Sequence, residues 1–178
     1  MIDLRKLVYL HSYPLAKVIS SVKLTTKGRY AVTAMLDLAI HQGDGPITLA
    51  EISQRQGISL SYLEQLFSRL RKQELVLSSR GPGGGYMLQR EPANICVSQV
   101  IAAVNENVDA TKCGGAHNCH DNGQCLTHDL WHDLGTIIRN YLNDVSLQDL
   151  MDRRVVQEVA QRQSQNIPSV SADSLLVH

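Results

Sequence analysis

Apolar residues in the first half of the chain recur at three- and four-residue spacing, which predicts helices. The first helix ends near His41, because a breaker sequence at 43–46 follows it. Its apolar positions are Tyr30, Ala31, Ala34, Met35, Leu38 and Ala39. A second, shorter helix begins at Thr48, where Thr48 and Glu51 form a capping box, and it ends at Gly57.

A third helix follows this glycine and completes a helix-turn-helix pattern, with Ser59 or Ser61 as its cap. Its apolar side consists of Leu60, Leu63, Leu66, Phe67 and Leu70. Its other side consists of Ser61, Tyr62, Gln65, Ser68 and Arg69. Gln, Ser and Arg side chains can bond base edges in the major groove, so this side fits DNA; an ordinary solvated helix face is the competing interpretation.

Two short strands, at 75–79 and 86–88, are predicted to form a hairpin after the third helix. Between them lies Arg80-Gly-Pro-Gly-Gly-Gly85, a glycine-rich tip that carries one cation. A helix-turn-helix followed by such a hairpin is a winged helix, whose wing would contact phosphates or a minor groove. A phosphate-binding loop is disfavoured because no Gly-Lys-Ser/Thr sequence follows.

The second half of the chain opens with a short helix at 97–104 and a loop rich in cysteine and histidine. Five residues separate Cys113 from Cys119, five separate Cys119 from Cys125, and two separate Cys125 from His128. Structural zinc sites usually have shorter Cys-x-x-Cys spacings, so the pattern favours an iron–sulfur cluster. Zinc remains an alternative, and a single iron or copper ion is a third option.

Three other histidines near this loop, and Cys96, are not expected to bind metal. Cys125 and His128 differ from them because they lie three positions apart at a helix start and face the same side. The histidines expected to be solvated are His117, His120 and His132. Cys96, within an apolar stretch, is expected to be a buried core thiol.

A long amphipathic helix is predicted after this loop, from about 126 to 145. Its apolar positions are Leu126, Leu130, Leu134, Ile137, Ile138, Tyr141, Leu142 and Val145. One small domain cannot bury so long an apolar face, so a symmetric partner helix and a twofold homodimer are expected. A dimer would also match a palindromic DNA site. A short helix at 146–151 follows, and the segment 155–178 is expected to be a disordered tail.

Charge is distributed unevenly along the 178 residues, although the net charge is zero. Residues 22–91 carry nine cations and six acids, whereas residues 92–178 carry five cations and ten acids. The first of these segments therefore suits a polyanionic partner such as DNA. An aromatic content of 4% argues against a stacking platform for single-stranded nucleic acid.

The first 21 residues lack both helical periodicity and the uninterrupted apolar segment of a signal peptide. They are expected to be a disordered extension, or upstream sequence included through a misread start, with Val22 as the true first residue. No apolar run is long enough to span a membrane. In a reducing cytoplasm, where such a chain is expected, cysteines bind metals more often than they form disulfides.

These elements predict a mainly α fold with a small β-hairpin wing. The expected organisation is an extension at 1–21, a winged helix-turn-helix DNA-binding domain at 22–91, and the cluster-binding loop with dimerisation helices at 92–154. The tail follows. The chain is not expected to be an enzyme.

Several stretches resemble the iron–sulfur cluster regulators of bacteria, a family of winged-helix transcription factors. The matching stretches are 23–37, 56–72 and 80–86, together with the Cys113, Cys119, Cys125 and His128 pattern. The resemblance covers about Val22 to Arg154. It implies a homodimer that binds one [2Fe–2S] cluster per subunit, receives it from the cluster assembly machinery, and represses or controls cluster-assembly genes.

The resemblance also implies which residues meet double-stranded DNA: Ser59, Ser61, Tyr62, Gln65 and Arg80. Glu64, on the same helix, can accept a hydrogen bond from the amino group of cytosine or repel an ill-fitting site. It can therefore discriminate between operators. The expected interface further includes Lys27, Arg29, Arg69 and Gly83. Two alternatives remain open at this point: an iron–sulfur electron carrier, and a zinc-stabilised DNA-binding protein without a sensing role.

Overall fold

The computed structural model describes residues 25–106, 110–111, 113–114, 116–120 and 123–165. Within these ranges, seven α-helices accompany one two-stranded antiparallel hairpin, which confirms the predicted fold class. The elements are α1 (Thr26–His41), α2 (Leu49–Gln56), α3 (Leu60–Lys72), β1 (Val76–Ser79), β2 (Gly85–Leu88), α4 (Val97–Ala103), α5 (His128–Asp144), α6 (Leu147–Met151) and α7 (Arg154–Gln165). The expected disorder of 1–21 and of 166–178 falls outside the described residues.

The first helix lies at the centre of the fold and packs against α2, α4 and α6. Its fully buried face consists of Ala31, Ala34, Met35 and Leu38. Small side chains on this face let neighbouring helices approach closely, while Met35 fills the space between them. The three- and four-residue spacing predicted for this helix is therefore its packing face.

Helices α2 and α3 form the predicted helix-turn-helix. The capping box between Thr48 and Glu51 is present, and Gly57 ends α2 in the left-handed conformation with φ of 64°. That conformation strains a residue with a Cβ, which explains glycine at the turn. The buried stripe of α3 consists of Leu63, Leu66, Phe67 and Leu70. Leu60, predicted on this stripe, lies at its margin on the first turn and is 44% exposed.

The hairpin packs onto the helices through both strands, with β1 against α3 and β2 against α1. Val76 pairs with Leu88 and Ser79 with Gly85, so the tip spans residues 80–84. The backbone of Ile47 forms an isolated bridge to Tyr86, and a Cβ at Gly85 would approach the Ile47 carbonyl oxygen to 2.5 Å. Glycine is needed at this crossing because the two backbones leave no room for a side chain.

In the second half of the structure, two backbone hydrogen bonds join the segments that lead into α4 and α6. The Val97 N–H donates to the Val145 carbonyl and the Leu147 N–H to the Ile95 carbonyl, both at 2.9 Å. Cys96, expected to be a buried core thiol, is instead half-buried at the N-cap of α4. It ends an extended segment whose backbone pairs with Ser146, the residue just before α6. Across the described ranges, no helix is both long and apolar enough to cross a membrane.

Residues 154–165 form α7, so the prediction of a disordered tail from 155 is wrong for this segment. Val155, Val156, Val159 and Ala160 line a groove together with residues of α1, which gives the helix an apolar contact. The Gln163 side chain also donates to the Arg55 carbonyl at 3.3 Å. The polar composition concealed this helix, because only one narrow side of it meets the protein.

Candidate functional site

A buried histidine faces two thiols where the cysteine-rich loop meets α5. His128 is the first residue of α5 and only 2% exposed. Its Nδ1 lies 3.4 Å from Cys119 Sγ and 3.7 Å from Cys113 Sγ. The ligand atoms of these three residues all lie within 4.8 Å of one another. Such a cluster of thiols and imidazole is a ligand set for zinc or for iron–sulfur chemistry.

Cys125, the fourth predicted ligand, adjoins this group. Its backbone N–H donates to Cys119 Sγ at 3.1 Å, and its own Sγ lies 3.9 Å from Thr127 Oγ1. The structure thus brings Cys113, Cys119 and His128 together, with Cys125 beside Cys119 in the same loop. The four cysteines are thiols rather than disulfides.

The two adjoining thiols differ in acidity. A hydrogen bond from the Cys119 side chain lowers the pKa of the Cys125 thiol. The backbone N–H of Cys125 lowers the pKa of Cys119, but desolvation and the side chains of Cys125 and Cys113 outweigh it and leave that pKa above its usual value. Cys125 is therefore the readier of the two to ionise, and the thiolate is the form that binds metal.

The surroundings of His128 fit a group bound at the thiols. Among the described residues, no hydrogen-bond partner is found for its buried Nε2. Its Nδ1 faces sulfur rather than a carbonyl or carboxylate. A buried imidazole normally has partners on both nitrogens, so this orientation suits a ring whose Nδ1 is a ligand. Sulfur with imidazole also matches the softness that iron and zinc prefer.

Three further histidines, in the loop and on α5, lie outside the group formed by Cys113, Cys119 and His128. His117 Nδ1 lies 2.6 Å from Gln124 Nε2, and its ring centroid is 4.5 Å from that of His128. The ring of His132 is 6.3 Å from that of His128. His120 pairs with Gly123 through the backbone. All three are exposed, as predicted from the sequence.

The outward side of α3 presents polar side chains to solvent. Ser59 is the N-cap of the helix, with its side chain uninvolved in capping, and Ser61, Glu64 and Gln65 are exposed. Tyr62 is half-buried and meets Tyr30 of α1 edge-to-face, with ring centroids 5.9 Å apart. The helix thus offers short hydroxyl, amide and carboxylate groups on a firmly packed support.

The predicted basic positions lie on the wing and on the first turns of α1. Arg80 is exposed directly after β1, and Gly83 in the tip has a φ of 75°. Lys27 is half-buried and Arg29 exposed near the start of α1, close to the Tyr30–Tyr62 contact. Both elements that carry these residues, the wing and α1, contact α3.

Arg69 differs from the other residues expected at DNA. Its Nη1 donates to the Val104 carbonyl at 3.0 Å, at the C-terminal end of α4. Its guanidinium is therefore engaged in a contact within the chain. Cation counting could not foresee this, because the acceptor is a main-chain oxygen 35 positions away.

Two acidic residues with structural contacts were missed by the sequence analysis. Asp37 on α1 is buried and bonds both Arg55 and Gln56. A signal existed, because Asp37 falls on the apolar side of α1 and a buried carboxylate requires partners. Glu106 accepts a hydrogen bond from the Thr25 N–H across 81 positions, and no local pattern predicts it.

The chain matches a protein-family model over residues 24–153, that of Rrf2, described as an iron-dependent transcriptional regulator. The HTH-type transcriptional regulator IscR of Photobacterium profundum is 57% identical over 157 residues, covering 88% of this chain and 91% of that protein. IscR of Sodalis glossinidius is 59% identical over 142 residues, or 80% and 86% of the two chains.

Solved structures agree with these sequence matches. T. potens IscR superposes with a TM-score of 0.60 at 39% identity, covering 72% of this chain and 85% of that one. CymR, the global cysteine regulator of B. subtilis, superposes with a TM-score of 0.63 at 34% identity. The match covers 72% of this chain and 95% of that one. These matches confirm the family resemblance seen in the sequence. They also confirm the prediction that the chain is not an enzyme, because the relatives regulate transcription. The chain belongs to the Rrf2 family of transcriptional regulators.

Proposed function

We propose that this regulator senses iron–sulfur cluster status through a [2Fe–2S] cluster and thereby controls cluster-assembly genes. The observation that carries the proposal is the buried His128, whose Nδ1 points at two thiols rather than at a protein oxygen. The names of the similar regulators and the iron-dependent description of the family support it.

Four side chains would hold the cluster: Cys113, Cys119, Cys125 and His128. The bound cluster would supply a signal, because its presence or absence reports the cell's supply of iron and sulfide. The protein holds His128 by burying it at the start of α5, so the imidazole orientation is fixed by the helix. The three cysteines lie on a loop, whose arrangement depends on what the thiols bind.

The DNA interface we propose consists of α3, the wing and the start of α1, within the unit formed by residues 22–91. On α3, Ser59, Ser61, Tyr62 and Gln65 would bind DNA, with Glu64 discriminating between sites. Arg80 and Gly83 on the wing and Lys27 and Arg29 on α1 would contact the backbone or the minor groove. Arg69 would serve mainly through its contact with Val104.

A homodimer is the assembly we propose, with α5 as the pairing helix. The side of α5 opposite buried His128 and Gly135 leaves Leu130, Ile137 and Tyr141 exposed to solvent. Covering these residues with a second copy removes apolar surface from water and places two copies of α3 on one palindromic duplex. The cytoplasm supplies both the promoters and the assembly machinery from which the cluster would come.

The visible absorption spectrum of anaerobically purified protein, with iron and sulfide analysis, tests this proposal. We expect charge-transfer bands and about two iron and two sulfide per chain, as a [2Fe–2S] cluster requires. A colourless protein containing zinc would overturn it in favour of a structural zinc site. An iron–sulfur protein that binds no promoter DNA would favour the electron-carrier alternative.

A further inference from the structure

Glu106 contacts the start of α1 from the position just before the cysteine-rich loop. The Thr25 N–H donates to Glu106 Oε1 at 2.6 Å. The Glu106 carboxylate also packs against Gly28 so closely that a Cβ on Gly28 would overlap Oε2. The first turn of α1 is thus held by a side chain from the other half of the chain.

This carboxylate is placed with little freedom. Its Oε2 is buried, and the described part of the chain offers it no hydrogen-bond partner. A buried carboxylate oxygen is costly unless a positive potential offsets the lost hydration. The free N–H groups at the start of α1 supply such a potential, and it falls off within one turn. The contact is therefore sensitive to small shifts between Glu106 and α1.

The same short segment also contacts the recognition helix. The Val104 carbonyl accepts the hydrogen bond from Arg69 of α3, and Asn105 adopts the left-handed conformation with φ of 56°. Residues 104–106 therefore touch both helices expected at DNA. A left-handed residue at the end of α4 fixes the direction in which Glu106 leaves the helix.

The helix that follows the loop also passes beside Glu106. Glu106 and Arg139 of α5 line one small cavity between α4 and α5. Since α5 begins at His128, the two ends of the cysteine-rich loop both lead to helices around Glu106. Glu106 therefore lies between the helix that precedes the loop and the helix that follows it.

We propose that Glu106 is a positioning residue that couples the state of the Cys113–His128 loop to the placement of α1 and α3 on DNA. This inference rests on the proposed function. Binding at the thiols fixes the loop, the loop fixes Glu106 against Thr25 and Gly28, and α1 passes the constraint to α3 through the Tyr30–Tyr62 contact. The two sites are then linked by one element with two arrangements.

The test measures how strongly the cluster changes DNA affinity. Full-length protein is prepared cluster-loaded, as verified by its visible spectrum, and cluster-free after chelation. Each form is titrated with a duplex from the promoter of the iron–sulfur assembly genes. For the wild type we expect the two affinities to differ by about fivefold or more, the usual range for linked sites.

Two variants disturb the contact from opposite sides. Glu106→Ala removes the carboxylate, and Gly28→Ala adds the methyl group that overlaps it while favouring the helix. In both, the ratio of affinities should fall to within about twofold of one, with an unchanged spectrum of the loaded form. Glu106→Gln retains an acceptor for the Thr25 N–H, so it should keep most of the wild-type ratio of affinities.

Matched controls are Glu158→Ala, an exposed acid on α7, and Gly43→Ala, where an added Cβ meets no described atom within 4 Å. Both should keep the wild-type ratio. A wild-type ratio of one overturns the proposed function together with this inference. A normal wild-type ratio that Glu106→Ala and Gly28→Ala both retain overturns only the assignment of Glu106.

Discussion

Asp37 of α1 and Arg55 of α2 form a buried two-pronged ion pair. Arg55 Nε lies 3.0 Å from both carboxylate oxygens, and Nη2 lies 2.7 Å from Oδ2. The Asp37 and Arg55 side chains are only 0% and 5% exposed. Gln56 Nε2 also donates to Oδ1 at 2.7 Å. This pair fixes the angle between α1 and the helix that supports α3.

Removal of one partner should be strongly destabilising. Asp37→Ala leaves the Arg55 guanidinium buried without its carboxylate, and we expect the free energy of unfolding to fall by about 3–5 kcal/mol. Urea denaturation followed by circular dichroism measures this change. Glu158→Ala, which breaks the exposed ion pair with Arg154, is the control and should cost less than about 0.5 kcal/mol. Equal losses in both variants would contradict the structural role of Asp37.

The capping box at the start of α2 should make the folding stability depend on pH in the acid range. Burial raises the pKa of Glu51, but hydrogen bonds from the Thr48 hydroxyl and N–H outweigh it and hold that pKa below its usual value. Because the pKa is lower in the folded state, the stabilisation is complete above about pH 4.3 and is lost as the pH falls through the folded value.

Glu51→Gln removes this dependence. Its thermal midpoint should lie below that of the wild type at pH 7, and the two should converge as the pH falls through the lowered pKa of Glu51 in the folded protein. Thermal melts over a pH series provide the measurement. Glu64→Gln, which removes an exposed carboxylate from the neighbouring helix, should not reproduce the pattern. A constant difference between Glu51→Gln and wild type at every pH would refute the linkage.

Local rules predicted much of this fold because most elements are specified within a few residues. The capping box, Gly57 and the apolar stripe of α3 are of this kind, and each is present. The loop ligands were found because Cys and His are rare and chemically distinctive. By contrast, the contacts of Asp37, Arg69 and Glu106 join residues distant in sequence, and the packing of α7 depends on a groove formed by α1. Such features depend on tertiary packing, which periodicity does not encode.

Gln65 and Arg80 should contribute to DNA binding in different ways. If Gln65 contacts a base edge, Gln65→Ala should cost about 1–3 kcal/mol on the preferred operator and relax the preference at one position. Arg80→Ala should weaken binding to all sequences. It should also reduce the slope of log affinity against log salt concentration by about one. Titrations with matched and mismatched duplexes over a salt series separate the two. Gln54→Ala, at an exposed position of α2, is the control. Wild-type binding by both test variants would exclude this interface.

The exposed apolar side of α5 should be covered in solution by a second copy. Ile137→Glu places a charge on this side and should convert the dimer to a monomer, because burying an unpaired carboxylate is costly. Analytical ultracentrifugation gives the mass directly. Gln161→Glu, at an exposed position on α7, should leave the dimer intact. A dimer that persists in Ile137→Glu would place the interface elsewhere.

The proposed cluster site depends on His128, which completes it beside three cysteines. The most direct measurement is the visible spectrum and iron content of anaerobically purified His128→Ala beside His117→Ala and His128→Cys. We predict that His128→Ala loses the cluster while its circular dichroism and dimer mass stay normal, that His117→Ala keeps the wild-type spectrum, and that His128→Cys holds the cluster more persistently because thiolate replaces neutral imidazole. A His128→Ala protein with the wild-type spectrum, beside a His117→Ala protein that has lost it, would show that His128 is not the fourth ligand.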